Sequence, residues 1–305
     1  MRYFLIIIGL WVSGCVSKTP QTDAFLKKPS NLPPAVTIEG VPFYNQKAGH
    51  CGPATLAMAL NWAGKPISVD KLAPQVYTPG AKGTFQLDMI SATRRQGMLA
   101  IPVEGLNALM TEIAAKHPVI VFENLAVSWL PQWHYAIVFG YDIPKQIMVM
   151  HSGPENSKRW DMRKFERSWK LADYWGFVVL PPGSLAPSAG EFAHAKATAA
   201  LEQLGKNKEA EKSYRAILTR WPNSYTASIG LGNILYAEEN FLEAIEVLRS
   251  AAQANPKTAV LWHNLAIAQR SARKLKEARQ SAQTAIALAS SEELPVFKES
   301  LKGLY

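Results

Sequence analysis

Gln46-Lys47-Ala48-Gly49-His50-Cys51-Gly52-Pro53-Ala54 decides how the first half of this chain is read. Ala54 to Trp62, rich in Ala, Leu and Met, reads as a helix. Pro53 suits its first turn, where no N–H is needed, so Cys51 falls at a helix N-terminus. The unsatisfied N–H groups and the macrodipole of such a terminus favour a thiolate. Gly52 leaves the backbone open to an approaching carbonyl. The common fate of a free Cys is that of a small buried hydrophobe. In an oxidising compartment a lone thiol is an exposure risk unless it is buried or used. The chain has 2 cysteines, and the other, Cys15, ends an N-terminal signal, so Cys51 is left without an intramolecular partner.

Downstream the pattern mixes helix and strand. Val41 to Tyr44 reads as a short extended entry. Ser68-Val69-Asp70 caps a second helix that includes Leu72, Gly80, Gly83 and Thr84 mark a loop, and Leu87 to Gln96 reads as a third helix. Pro118 to Phe122 is a continuous apolar run, which reads as a buried strand. His134 to Tyr141 follows as a strand that opens with histidine. Asp142 to Lys145 is a turn, and Ile147 to Met150 is a strand ending at His151-Ser152-Gly153-Pro154. A hairpin centred near residue 143 sets positions 151–153 across from His134. A slip of one residue would turn those side chains to the opposite face. Trp160, Phe165, Trp169, Tyr174, Trp175 and Phe177 close this domain, with core packing as their expected role.

The N-terminus bears on compartment. Arg2 gives a positive start, and Tyr3 to Val12 is an apolar run too short to span a bilayer. Val12-Ser13-Gly14-Cys15 resembles a bacterial lipobox, which implies removal of residues 1–14 and lipid attachment at Cys15. Several acyl chains anchor firmly where one would not. Val16, rather than Asp, after the cysteine implies the outer membrane by resemblance to bacterial sorting rules. Residues 15–40 read as a tether, with Ser17 to Pro34 extended and Pro-rich. The formal charge of +9 is moderate, and no basic block interleaved with aromatics stands out, so no nucleic-acid partner is read.

The chain changes character near residue 183. Residues 184–190 are rich in turn formers and read as a linker between a 41–183 domain and helices over 191–291. Ala210, Ala244 and Ala278 recur every 34 residues, as do Pro222 and Pro256, Leu231 and Leu265, and Gly232 and Ala266. Leu204 and Glu238 share the step, which reads as one core position not retained. A 34-residue period with small residues at fixed sites and a closing Pro resembles the tetratricopeptide repeat, here in three units. Such arrays bind protein partners on a concave face. Residues 292–305 read as a C-terminal tail.

Gln46, Cys51-Gly52-Pro53-Ala54, Gly83-Thr84 and the His134-Tyr135 strand together resemble the C39-like branch of papain-type cysteine peptidases. The closest resemblance is to lipoprotein forms with tetratricopeptide repeats behind that domain. The implied fold is an α+β papain-like domain followed by an all-α repeat domain. By the same resemblance Cys51 is the nucleophile and His134 the general base. Gln46 is the side-chain donor of the oxyanion hole, beside the Cys51 N–H. Two departures stand out. Four residues separate Gln46 from Cys51, where bacteriocin-processing relatives have five. The family's third member is an Asp, and His151 takes that position, an imidazole that orients His134 with less charge stabilisation than a carboxylate gives. Asp142 lies at the far end of the hairpin.

The reading that follows is a lipid-anchored peptidase of the outer membrane, facing the periplasm, acting on a peptide or protein. Its alternative is a weak or inactive C39-like peptide-binding scaffold for envelope assembly or export. No cofactor is implied. Cys51, His134 and His151 could be read as zinc ligands, but no paired Cys or His spacing supports a metal. His50 is expected beside the cleft, His117 on the surface, and His194 and His263 within the repeat helices.

Overall fold

The computed structural model describes residues 18–28, 31–46 and 49–305. Cys15 and the signal lie outside the described residues. The first domain runs through α1 (Pro20–Lys27), β1 (Ala35–Thr37), α2 (Cys51–Trp62), α3 (Val69–Val76), the short β2 (Tyr77–Thr78) and β3 (Gly83–Thr84), α4 (Gln86–Arg95), β4 (Leu99–Pro102) and α5 (Gly105–Ala114). It continues through β5 (Val119–Asn124), β6 (Trp133–Asp142), β7 (Ile147–Ser152), β8 (Glu155–Asp161), α6 (Met162–Lys170) and β9 (Gly176–Leu180).

The main sheet is antiparallel in the order β4-β9-β5-β6-β7-β8, with β1 added along the far half of β6. Helices cover both faces, so β5 reads as a continuous apolar run instead of an alternating one. On one face Leu56, Met58 and Leu60 of α2 pack with Tyr135 and Ile137. On the other, Leu106 and Leu109 of α5 and Phe165 and Trp169 of α6 pack with Val121, Ala136 and Val138. The aromatics of residues 160–177 are largely core: Trp169 is fully buried and donates its indole N–H to the Trp175 carbonyl at 2.8 Å.

Part of the expected tether is helix. Over Pro20–Lys27 the chain coils into α1 instead of running extended, and it packs on α5 and α6. The buried Glu166 carboxylate explains this, because it accepts the backbone N–H groups of Gln21 at 2.9 Å and Thr22 at 2.7 Å. A negative group at a helix N-terminus satisfies open donors and meets the positive end of the dipole. Phe25 is buried below, and Gln21 Oε1 accepts the Leu106 N–H at 2.6 Å.

The repeats keep their period. Helices α7 (Glu191–Gln203), α9 (Tyr225–Ala237) and α11 (Ala259–Ser271) begin 34 residues apart. So do α8 (Asn207–Arg220), α10 (Phe241–Ala254) and α12 (Leu275–Leu288). Ala210, Ala244 and Ala278 are fully buried. Gly230 and Gly232 face Tyr214 and Leu248 with no room for a Cβ, and the equivalent of Gly232 one period on, Ala266, is also small and fully buried. Leu204 and Glu238 are not core positions. Each is a helix C-cap, and Leu204 is 49 % exposed, so Glu is tolerated at its equivalent. The expected tail is instead a capping helix, α13 (Glu293–Ser300), whose Phe297 is buried along with Leu301 and Leu304 beyond it.

The linker is docked. Ser188 N–H donates to buried Glu112 at 2.7 Å, Gly183 N–H to Ser213 Oγ at 3.2 Å, and Ala186 N–H to His194 Nε2 at 2.9 Å. His194 is thus structural. Glu112 also holds His117 Nδ1 at 2.7 Å, which makes His117 a half-buried partner of that carboxylate and not a plain surface residue.

Candidate active site

An open cleft of about 860 Å³ lies across the head of α2 and the ends of β5–β8. Cys51, His134 and Gln46, which the sequence singles out, all line it, together with Ser152 and Lys158. The positions follow from local folding. Cys51 is the first residue of α2. His134 is the second residue of β6, opposite Glu123 of β5. Thr55 of α2 donates its hydroxyl to the Tyr135 carbonyl at 3.2 Å, which ties the nucleophile's helix to the histidine's strand.

Burial governs the titration of both groups. It pushes the Cys51 thiol up, outweighing the backbone N–H groups of Tyr135, Gly52 and Cys51 itself, which pull it down. The helix-head effect expected from sequence is present but smaller than desolvation. His134 is pushed down to about 4, first by burial and then by the Lys158 ammonium. At neutral pH the free site therefore rests as a neutral thiol and a neutral imidazole.

Gln46 reaches toward α2, its Nε2 donating to Thr55 Oγ1 at 3.4 Å. The second amide hydrogen remains for a ligand. Gly52 does not leave its backbone open, as expected from sequence. Thr84 of β3 fills the space where a Cβ would stand. The β2–β3 hairpin thus forms one wall, fixed further by the Tyr135 hydroxyl donating to the Thr84 carbonyl at 3.0 Å.

His151 does not meet His134. Its Nδ1 accepts the Ser157 N–H at 3.1 Å, and its Nε2 donates to the Val41 carbonyl at 3.2 Å. The ring packs between Phe43 and Phe139. With both nitrogens bound to backbone, it can neither orient the base nor join Cys51 and His134 around a metal. Its neighbour Ser152 does meet the base, at 3.1 Å between Oγ and His134 Nε2. A register shift in the β6–β7 pairing between Val138 and Gly140 accompanies this exchange. Ser152 Oγ accepts from Nε2–H in the tautomer that leaves the Nδ1 lone pair open, and Nδ1 makes no hydrogen bond to any described residue. Asp142 pairs with Lys145 at the far end of β6.

The rim is apolar. Phe85, Leu125 and Trp133 line the cleft while remaining exposed, Trp133 by 49 %. Lys82, Lys158 and Glu155 add charge, with Lys158 held on Glu155 at 2.7 Å. His50 stacks on Tyr77 with ring centroids 5.0 Å apart.

Residues 38–176 match the Peptidase_C39 like family, and residues 194–259 match a tetratricopeptide repeat model. The chain thus joins a C39-like domain to a tetratricopeptide repeat domain. A Bacillus anthracis structure described as a C39-like peptidase is similar at 18 % identity and a TM-score of 0.42, covering 48 % of this chain and 97 % of that one. The peptidase domain of Streptococcus ComA, a bifunctional ABC transporter of a quorum-sensing pathway, is similar at 20 % identity and a TM-score of 0.38, covering 46 % of this chain and 96 % of that one. A structure of MamA from residue 41 to its end, from Desulfovibrio magneticus, is similar at 23 % identity and a TM-score of 0.34; the match covers 38 % of this chain and 64 % of that one, under two thirds of its length. No curated protein matches the chain.

Proposed function

We propose that this protein is a cysteine peptidase of the bacterial envelope, cleaving a peptide or related amide bond. Cys51 is the nucleophile, His134 the base, and Gln46 Nε2 with the Cys51 N–H the oxyanion donors. Ser152 orients the imidazole in the role expected of His151. The observation that carries this reading is one open cleft holding the head of α2 and the first residues of β6, with backbone N–H groups of Gly52 and Tyr135 aimed at the sulfur. In the reaction the thiol proton passes to Nδ1 as sulfur attacks the carbonyl, and returns to the leaving amine. Neither group ionises readily alone. Opposite charges brought to about 4 Å attract by about 4 kcal/mol at an effective dielectric of about 20, so contact between the two groups lets them ionise together more easily than apart. The repeats bind a protein partner. The lipobox-like Val12–Cys15 supports anchoring at Cys15 to the outer membrane, facing the periplasm.

A peptide-binding scaffold is the second reading, favoured by the resting neutrality of Cys51 and His134. Incubating the full chain with a peptide library and reading products by mass spectrometry separates the two. The peptidase reading expects cleavage by the wild type and loss of at least about 10²-fold with Cys51→Ala or His134→Ala. A Cys51→Ala gene that fully restores a deletion phenotype in cells would leave only the scaffold.

A further inference from the structure

One buried carboxyl at this site has no place in the reaction so far. Glu123 is fully buried on β5. It stands directly opposite His134 across the β5–β6 pair, so the two side chains share a face with Cβ atoms about 5 Å apart. Ser152 shares that face through its pairing with Ala136. Glu123 Oε1 accepts the Ser168 hydroxyl of α6 at 2.6 Å, while Oε2 is buried with no partner. An unsatisfied buried oxygen is costly and calls for an explanation. Among the described carboxyls, Asp142 is at the far end of β6, Glu155 is paired with Lys158, and Glu166 is turned to α1.

We propose that Glu123 is the carboxylate of this site, supplying from the neighbouring strand the charge that the family's Asp supplies elsewhere. It is a positioning residue that acts through His134, and it rests on the Cys51–His134 reading above. When the thiol S–H bond breaks and the Nδ1–H bond forms, Glu123 stays ionised and stabilises the imidazolium across the strand pair; no proton leaves the three groups. The groups facing Glu123 are His134 from β6, Lys158 from β8 and Ser168 from α6; β9 brings no titratable side chain, and Cys51 lies at the head of α2, which covers the opposite face. Burial pushes Glu123 up to about 7, against Ser168 and Lys158, which pull it down. Its ionisation therefore falls within the neutral range.

The test is the pH profile of Cys51 alkylation by iodoacetamide, from pH 5.5 to 8.5, in the full chain. The wild type should show an inflection near 7, and Glu123→Gln, which keeps the Ser168 bond, should lose it and react about tenfold more slowly at pH 8, the equivalent of one pKa unit. Ser168→Ala removes a bond that holds the carboxyl down, so it should move the inflection to higher pH, a shift that mere loss of packing would not give. A Glu123→Gln profile that superimposes on the wild type overturns the proposal and leaves the peptidase reading standing. The imidazole resonances of His134, followed by NMR in Cys51→Ala with and without Glu123→Gln, need no reactive thiol. An inflection near 7 that depends on Glu123, beside an unreactive wild-type Cys51, would keep the Glu123–His134 coupling and sink the hydrolase. No Glu123-dependent inflection in those resonances overturns the coupling itself.

Discussion

Thr84 leans on Gly52 so closely that any side chain at position 52 would overlap it. Gly52→Ala must push the β2–β3 hairpin off the head of α2. The expected cost is about 1–3 kcal/mol, the range for overpacking a filled site, read as a lowered urea midpoint. Gly52→Ala with Thr84→Gly should recover most of it; recovery of none would show that the strain lies elsewhere. The residues of the cleft were unequally legible in the sequence. Cys51, His134 and Gln46 could be found because each stands at the start of a local pattern. Ser152 could not be told from His151, since the choice depends on a register irregularity inside the hairpin. Glu123 lies just past the apolar run Pro118–Phe122, with no local pattern to single it out. Only the cover of α6 over the sheet shows that it is buried.

Elements that stand on their own sequence were the ones foreseen. Helices α2, α3 and α4 and strands β5, β6 and β7 fall within a few residues of expectation, because periodicity and capping are local signals. Ser68 does cap α3, accepting the Lys71 N–H at 3.4 Å. α1 carries only a weak one, Pro20 in its first turn with no side-chain cap. At 8 residues it is too short to hold its own nucleation cost, and it exists because Glu166 and the Phe25 pocket receive it. Glu166→Ala removes the acceptor of Gln21, Thr22 and the Tyr174 hydroxyl. Hydrogen bonds to a charged group contribute about 1.5–3 kcal/mol each. Exchange of the α1 amides should therefore speed up by at least about tenfold, with α2 unchanged. Unchanged protection in α1 would mean that Phe25 alone holds the helix.

At the scale of the whole molecule, the two domains are joined by contacts that leave the cleft free. α7 packs on β4 and α4, at the sheet edge opposite β8, and none of the cleft's lining comes from the repeats. The 34-residue period made the repeat array readable in advance, because stacking imposes the same spacing on every unit. The docking of the linker was not readable, since it depends on Glu112, a residue 76 positions from its partner Ser188. Under the proposed function, the repeats gather a protein partner on one surface while the cleft cuts on another. All of this depends on Cys51 and His134 sharing a proton. The most direct measurement is the alkylation rate of Cys51 at neutral pH in the full chain, beside that of His134→Ala. The account expects His134→Ala to slow the reaction, because the buried neutral thiol then has no base to take its proton. A rate indifferent to the loss of His134 would contradict it.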